Sequence, residues 1–272
     1  MTETFQLLGV TFHWYGLIVG LAVVVSWQIF EQQLVRPQIK VSQECLSNLM
    51  MTMLAGALVG ARLWHVATDW GLYISHPWKV FFLWEGGLSI IGAVIGMIGA
   101  VWIALRQSPA CQKLSFLVVT DALAFALPLG QAIGRLGNWV NQELYGLPTN
   151  LPWKIYIEPS SRISGYEQIA YYHPLYLYEV MLWIILFIIL WLLRMKTKIF
   201  SVSNYPLGSG LASAIYLTYF CLIRFGLEFL RLEKPLLTWN GLSINQILMI
   251  AILPFTVMMI HRSWQKRQGM IV

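Results

Sequence analysis

Seven stretches of mostly apolar residues, each about twenty long, recur along this chain, and about twenty is the number a helix needs to cross a bilayer. They lie near residues 12–34, 46–68, 87–105, 115–133, 176–194, 208–230 and 243–262. The expected fold is therefore all-α: a polytopic integral membrane protein of seven transmembrane helices, forming a single transmembrane domain over residues 1–272. Composition agrees. Apolar residues make up 58% of the chain and charged residues 11%, which excludes an ordinary soluble domain. The start, Met1-Thr2-Glu3-Thr4, lacks a basic leader segment, and no small-residue cleavage site follows the first apolar stretch, so the first helix is expected to be retained.

Basic residues in short connections set the orientation. Arg36, Lys40, Arg106, Lys113, Arg194, Lys196, Lys198, Arg262, Lys266 and Arg267 all fall on one side, which marks the cytoplasm. The N-terminus is then outside and the C-terminus inside. The net charge of +6 is a topology signal with a minor pull toward anionic lipid, and nucleic acid is not an expected partner. Cys45, Cys111 and Cys221 are scattered, suggesting neither a disulfide nor a metal site. One connection is long, residues 134–175 on the outer side, and its prolines and polar residues suit a small external cap. Small residues at Ala55-Gly56-Ala57 and at Gly92 and Gly96 suit close helix packing.

The intramembrane polar residues are lopsided in depth. Tyr15, Arg62, Glu85, Ser89, Arg135, Glu179, Arg224, Glu228 and Arg231 all gather in the outer half, whereas the inner half offers little beyond Asp121, an anchor for the fourth helix. Spacings of four and seven put Arg224, Glu228 and Arg231 on one helix face. One glutamate cannot neutralise two arginines, although Glu179 and Glu143 can add negative charge. Arg231 has the further option of reaching to the interface. Guanidinium groups at headgroup depth suit phosphate, which they bind through paired, charge-assisted hydrogen bonds.

The run Gly134-Arg135-Leu136-Gly137-Asn138, continuing through Asn141, Glu143 and Gly146, resembles the signature of the bacterial phosphatidylglycerol–prolipoprotein diacylglyceryl transferases. Other segments agree in the family order: Trp14-Tyr15-Gly16-Leu17, Gly60-Ala61-Arg62, Trp84-Glu85-Gly86-Gly87-Leu88, Leu151-Pro152-Trp153, His173-Pro174 with Leu177-Tyr178-Glu179, Phe225 through Arg231, and Leu242-Ser243 with Gln246-Ile247-Leu248. The resemblance implies transfer of a diacylglyceryl group from phosphatidylglycerol to the lipobox cysteine thiol of a prolipoprotein signal peptide, leaving a thioether and glycerol 1-phosphate. It implies an enzyme of the bacterial cytoplasmic (inner) membrane that takes lipid sideways from the outer leaflet and uses no cofactor and no metal. Carried over residue by residue, Arg135, Arg224, Tyr15 and Glu228 are the catalytic candidates; Arg135, Asn138, Asn141, Glu143, Gly146, Arg231 and Glu179 are the substrate-binding ones.

Many members of that family carry a histidine after Glu-Gly-Gly, cast as the base; here Ile91 holds the position. Three readings stay open. Positive potential from Arg135 and Arg224 lowers the thiol pKa, or Tyr15 or Glu228 relays the proton. A histidine elsewhere substitutes, with His13 and His65 on the expected outer side, His76 and His173 in outer connections and His261 cytoplasmic. Or the chain is a paralogue that binds phospholipid without this reaction. A transporter is a more distant alternative, since it needs polar residues at mid-depth.

Overall fold

The computed structural model describes residues 4–7, 10–35, 41–82, 87–112, 114–194, 207–232 and 238–268. It is mostly helical: α1 (Trp14–Leu34), α2 (Gln43–Thr68), α3 (Gly71–Ile74), α4 (Ile90–Gln107), α5 (Phe116–Val140), α6 (Leu175–Arg194), α7 (Leu211–Leu227) and α8 (Ile244–Gln268). Among the described residues, six stretches are long and apolar enough to cross a membrane: α1, α2, α5, α6, α8 and Leu211–Leu230, which is α7 with the turn after it. With α4 as a shorter apolar helix, these features make a multi-pass membrane protein.

The expectation of helices alone needs correction. Among the described residues there are three two-stranded antiparallel pairs: β1 (Thr4–Leu7) with β2 (Val10–His13), β3 (Ile155–Tyr156) with β4 (Tyr171–Tyr172), and β5 (Thr238–Trp239) with β6 (Leu242–Ser243). Valine, threonine, isoleucine and the aromatic residues favour a pleated strand, and a hairpin internally satisfies backbone groups that a frayed helix end leaves bare.

The chain divides into two compact units, residues 31–119 and residues 1–30 with 120–272. In the first of these, α2 packs on α4 through glycines. A β-carbon on Gly56, Gly60, Gly92 or Gly96 would strike the facing helix, so the small residues do serve close backbone approach. Ser42 and Ser89 cap the two helices by accepting from the backbone N–H of Cys45 and Gly92. Buried Arg62 donates to the carbonyls of Lys79, Val80, Phe82 and Gly87, fastening the turn of Pro77–Phe81 to α2. Cys45 and Cys111 form a disulfide with Cα atoms 5.1 Å apart, which overturns the reading of both as unlinked thiols. Their separation of 66 residues hides the proximity in the sequence. Pairing of α2 with α4 brings the start of one helix to the segment just after the other. Cys221 is free and buried.

In the larger unit, α7 packs on both α6 and α8. Interhelical hydrogen bonds tie α7 to α8, α5 and α6 in turn: Thr218 to Thr256, Tyr216 to Gln131, and Tyr219 to the Leu182 carbonyl. Trp183 packs against the rings of Tyr216, Tyr219 and Phe220. At the start of α5, fully buried Asp121 accepts from the backbone N–H of Gly208, Gly210 and Ser213 and from the Ser213 hydroxyl, all within 2.8–3.0 Å. Asp121 therefore caps α7 from another helix, supplying the acceptor and negative charge that a helix N-terminus requires.

Between α5 and α6 lies a small lobe with its own apolar centre of Tyr145, Ile157, Tyr172 and Tyr176. The phenols are satisfied locally. Tyr145 donates to the Ser161 carbonyl and accepts from the Ile163 N–H, while the Tyr172 hydroxyl reaches the carbonyls of Tyr166 and Ile169. Burial pushes the Tyr172 phenol above its ordinary pKa.

Candidate functional site

The signature run does not form a loop at its start. α5 continues to Val140, so Arg135 and Asn138 sit on its last two turns, and the connection expected from 134 begins at 141. Glycine is a poor helix former, yet Gly137 has a packing reason. A β-carbon there would lie 2.8 Å from the Tyr15 ring, so the glycine lets that ring rest on α5 one residue from Asn138.

Immediately after α5 the backbone turns sharply. Gln142 and Leu144 have φ of 50° and 54°, left-handed values that cost a non-glycine residue about 1–2 kcal/mol each. Two contacts hold the turn. The Glu143 N–H donates to the Asn138 carbonyl, and the Glu158 N–H donates to Gln142 Oε1 at 2.7 Å. Buried Asn138 donates its side-chain amide to Glu143 Oε1 at 2.7 Å and accepts from Arg135 Nη1 at 3.1 Å. Glu143 thus takes an amide instead of a guanidinium. Half-buried Asn141 closes the helix with its backbone, its N–H donating to the Gly137 carbonyl.

Gly146 sits where three segments meet. Its N–H donates to the His173 carbonyl, and it bridges Arg231 in antiparallel fashion. A β-carbon at Gly146 would lie 2.9 Å from both His173 Cβ and the Leu230 carbonyl oxygen, so only glycine fits. The same bridge corrects the helical-face expectation for Arg224, Glu228 and Arg231. α7 ends at Leu227, Glu228–Leu230 is a single 3-10 turn, and Arg231 is extended. Pairing with residues 146 and 147 draws this backbone out of the helix.

The charges nonetheless converge. Buried Glu179 on α6 lies 2.6 Å from Arg135 Nε and 3.7 Å from Arg224 Nη1. Buried Glu228 holds Arg224 and Arg231, each at 3.6 Å. Among the described residues, three guanidinium groups therefore face two buried carboxylates in these pairs, one positive charge more than the carboxylates supply. Three of the four pairs are long, and the arginine side chains stay 20–27% exposed, so N–H groups remain available to an anion.

Residues to which the sequence reading gave no site role complete the arrangement. Ser243 Oγ and Asn245 Nδ2 both donate to Glu228 Oε1, at 3.0 and 3.1 Å. Ser243 and Gln246 also exchange side-chain and backbone hydrogen bonds at the start of α8. That is a capping box, and the Ser-x-x-Gln spacing ahead of an apolar run is the signal that would have found it. His173 and Tyr178 meet as well, with His173 Nδ1 at 3.0 Å from the Tyr178 hydroxyl. Glu85 lies outside the described residues, as does the Ile91 side chain, as do Arg36, Lys40, Lys113, Lys196 and Lys198 of the orientation argument. Among the described residues no group of three or more His, Cys, Asp or Glu is placed to hold a metal.

Fold and site define a class: a multi-pass membrane protein that keeps surplus guanidinium charge among its spanning helices. A family profile described as prolipoprotein diacylglyceryl transferase matches residues 2–262. The chain belongs to that family. It is 37% identical to the phosphatidylglycerol–prolipoprotein diacylglyceryl transferase of Gloeobacter violaceus over 254 residues, covering 91% of this chain and 89% of the relative. The enzyme of the same name from Thermosynechococcus vestitus is 37% identical over 86% of this chain and 82% of its own length. That of Fervidobacterium nodosum is 34% identical over 85% and 74%.

Proposed function

We propose that this protein transfers the diacylglyceryl group of phosphatidylglycerol to the lipobox cysteine thiol of a prolipoprotein signal peptide, giving a thioether and glycerol 1-phosphate. The observation that carries the reading is the surplus guanidinium charge of Arg135, Arg224 and Arg231 over Glu179 and Glu228. Breaking the carbon–oxygen bond turns a phosphodiester with one negative charge into a monoester approaching two. Fixed guanidiniums therefore hold the transition state more tightly than the substrate.

Roles follow from the contacts. Arg135 and Arg224 grip the phosphate; Glu179 aims both, and Asn138 holds Arg135 from its other side. Arg231 extends the positive surface. Glu143 fixes Asn138, while Asn141 and Gly146 set the turn that shapes the headgroup pocket. Tyr15, resting on Gly137, stands beside this cluster and meets the incoming thiol. Glu228 is already engaged by Ser243, Asn245 and two arginines, so it serves as an electrostatic anchor better than as a proton acceptor. A thiol is only a few per cent ionised near neutrality, and the surplus positive charge favours its thiolate.

The same reading gives α4 the role of a seventh span and makes residues 1–272 one transmembrane domain of the bacterial cytoplasmic (inner) membrane. The N-terminus lies outside, the C-terminus inside, and the 134–175 region forms an external cap next to the headgroups. Purified protein supplied with phosphatidylglycerol and a lipobox peptide tests the proposal. Mass spectrometry is expected to show a diacylglyceryl adduct on cysteine. Absence of the adduct where the Gloeobacter violaceus protein forms it would favour a phospholipid-binding paralogue.

A further inference from the structure

We infer that His173 is a neutral hydrogen-bond donor to the phosphate of the phospholipid, locked in that role by Tyr178 and Trp153. The inference rests on the diacylglyceryl-transfer reading above and adds a residue to it. Trp153 Nε1 can only donate, and it donates to the Tyr178 hydroxyl oxygen at 2.7 Å. His173 Nδ1 lies 3.0 Å from that same oxygen. The phenol has one hydrogen. With its oxygen already accepting from the indole, the arrangement that serves all three groups points the phenolic O–H at Nδ1. Nδ1 is then an acceptor, so the ring carries its proton on Nε2, and the free edge of the imidazole is a donor.

The backbone fixes where that donor stands. His173 N–H donates to the Leu147 carbonyl and its own carbonyl accepts from Gly146, while Leu147 N–H donates to the Leu230 carbonyl. Segments 146–147, 173 and 230–231 thus form one patch, and the missing β-carbon of Gly146 leaves the room that His173 Cβ occupies. One edge of the patch carries Arg231. On the other side Tyr178 precedes Glu179, the carboxylate that holds Arg135 and Arg224. The strict fit at Gly146 therefore sets His173 on the same backbone patch as Arg231, which is what the inferred phosphate contact requires.

A neutral donor suits this chemistry. Sulfur forms the new bond to the glyceryl carbon as the carbon–oxygen bond breaks, and that electron pair stays on the phosphate oxygen. The thiol proton leaves to solvent. His173 keeps its own proton throughout and strengthens its hydrogen bond as the phosphate gains charge.

The test uses the full-length protein labelled with nitrogen-15 at histidine. His173 is expected to appear as the Nε2–H tautomer, and Tyr178→Phe to give mixed tautomers. Micelles containing phosphatidylglycerol should shift the Nε2 resonance. In the transfer assay His173→Gln, whose amide N–H replaces Nε2–H, should stay within a few-fold of wild type, whereas His173→Ala should lose about tenfold or more, the scale of one hydrogen bond to a charged group. An Nδ1–H tautomer, an Nε2 resonance unmoved by the lipid, or a glutamine variant as damaged as the alanine one would overturn the inference. Wild-type protein that forms no adduct but whose Nε2 resonance still moves would instead sink the transferase reading and leave the donor standing.

Discussion

The two ends of α5 handle buried charge in opposite ways. At its start, one carboxylate, Asp121, is met by four donors within 2.8–3.0 Å, and nothing about it is left unsatisfied. Fourteen residues on, about 21 Å along the helix, Arg135 enters a cluster where three arginines share two carboxylates and three of the four pairs stretch to 3.6–3.7 Å. A tightly closed set of donors fastens helices. A loosely closed one with charge to spare suits an anion, and under the proposed function the ligand completes it.

Arg135→Lys probes that contrast hardest. It keeps the charge and loses the planar fork, so transfer should fall roughly 100-fold or more while the protein stays folded. The rate of adduct formation with phosphatidylglycerol and a lipobox peptide reads it directly. Wild-type turnover in this variant would mean that point charge alone suffices and that the arginine end is no more specialised than the Asp121 end.

The reverse expectation holds at Asp121. Asp121→Ala leaves the donors of Gly208, Gly210 and Ser213 without their acceptor and removes a charge from the α7 N-terminus, a loss of about 3 kcal/mol. Thermal unfolding in detergent should show it. Turnover per folded molecule should hold. A variant with unchanged melting and impaired transfer would assign Asp121 to function and dissolve the comparison.

Much of this contrast was legible in the sequence, because periodic apolar length and charge depth survive without coordinates. Arg135, Glu179, Arg224 and Glu228 come together from α5, α6, α7 and the turn after α7 as their positions implied. What stayed hidden depends on contacts between distant segments. Helix α5 outruns its expected end, and within it Gly137 serves packing on Tyr15, not termination. Helix α7 stops short of Arg231 because a partner strand 85 residues earlier in the chain captures its backbone. Asp121 caps a different helix from the one that carries it, and Cys45 meets Cys111 through the pairing of α2 with α4. Single-sequence periodicity holds no information on such pairings.

A smaller effect sharpens the view of the turn that follows the cluster. Leu144 is partly exposed and sits at φ 54°, so Leu144→Gly gives up little burial and removes about 1 kcal/mol of left-handed strain. Stability should rise by less than that amount in an equilibrium melt, because the entropy that glycine adds to the unfolded chain offsets part of the relief. Turnover should fall modestly as the turn that presents Glu143 and Gly146 loosens. Unchanged turnover would show that the strain is incidental to the site.

The smallest effect lies in the lobe, far from the contrast of closed and open charge sets, and it sets the scale for an ordinary surface carboxylate. Glu167 accepts from the Gly165 N–H at 2.9 Å, and backbone hydrogen bonds from Gly165 and from its own residue hold its carboxyl below the usual value. A depressed folded-state pKa contributes stability above the unfolded carboxylate value, and that contribution fades as pH falls through the folded one. The group is fully exposed, so the contribution is slight. Amide hydrogen exchange at Gly165 should therefore be a little faster at low pH than near neutrality, after correction for intrinsic rates. Glu167→Gln should flatten that dependence and leave transfer untouched. If the variant instead altered turnover, the lobe would be coupled to the arginine cluster, and the division between structural and functional charge would have to be redrawn to include it.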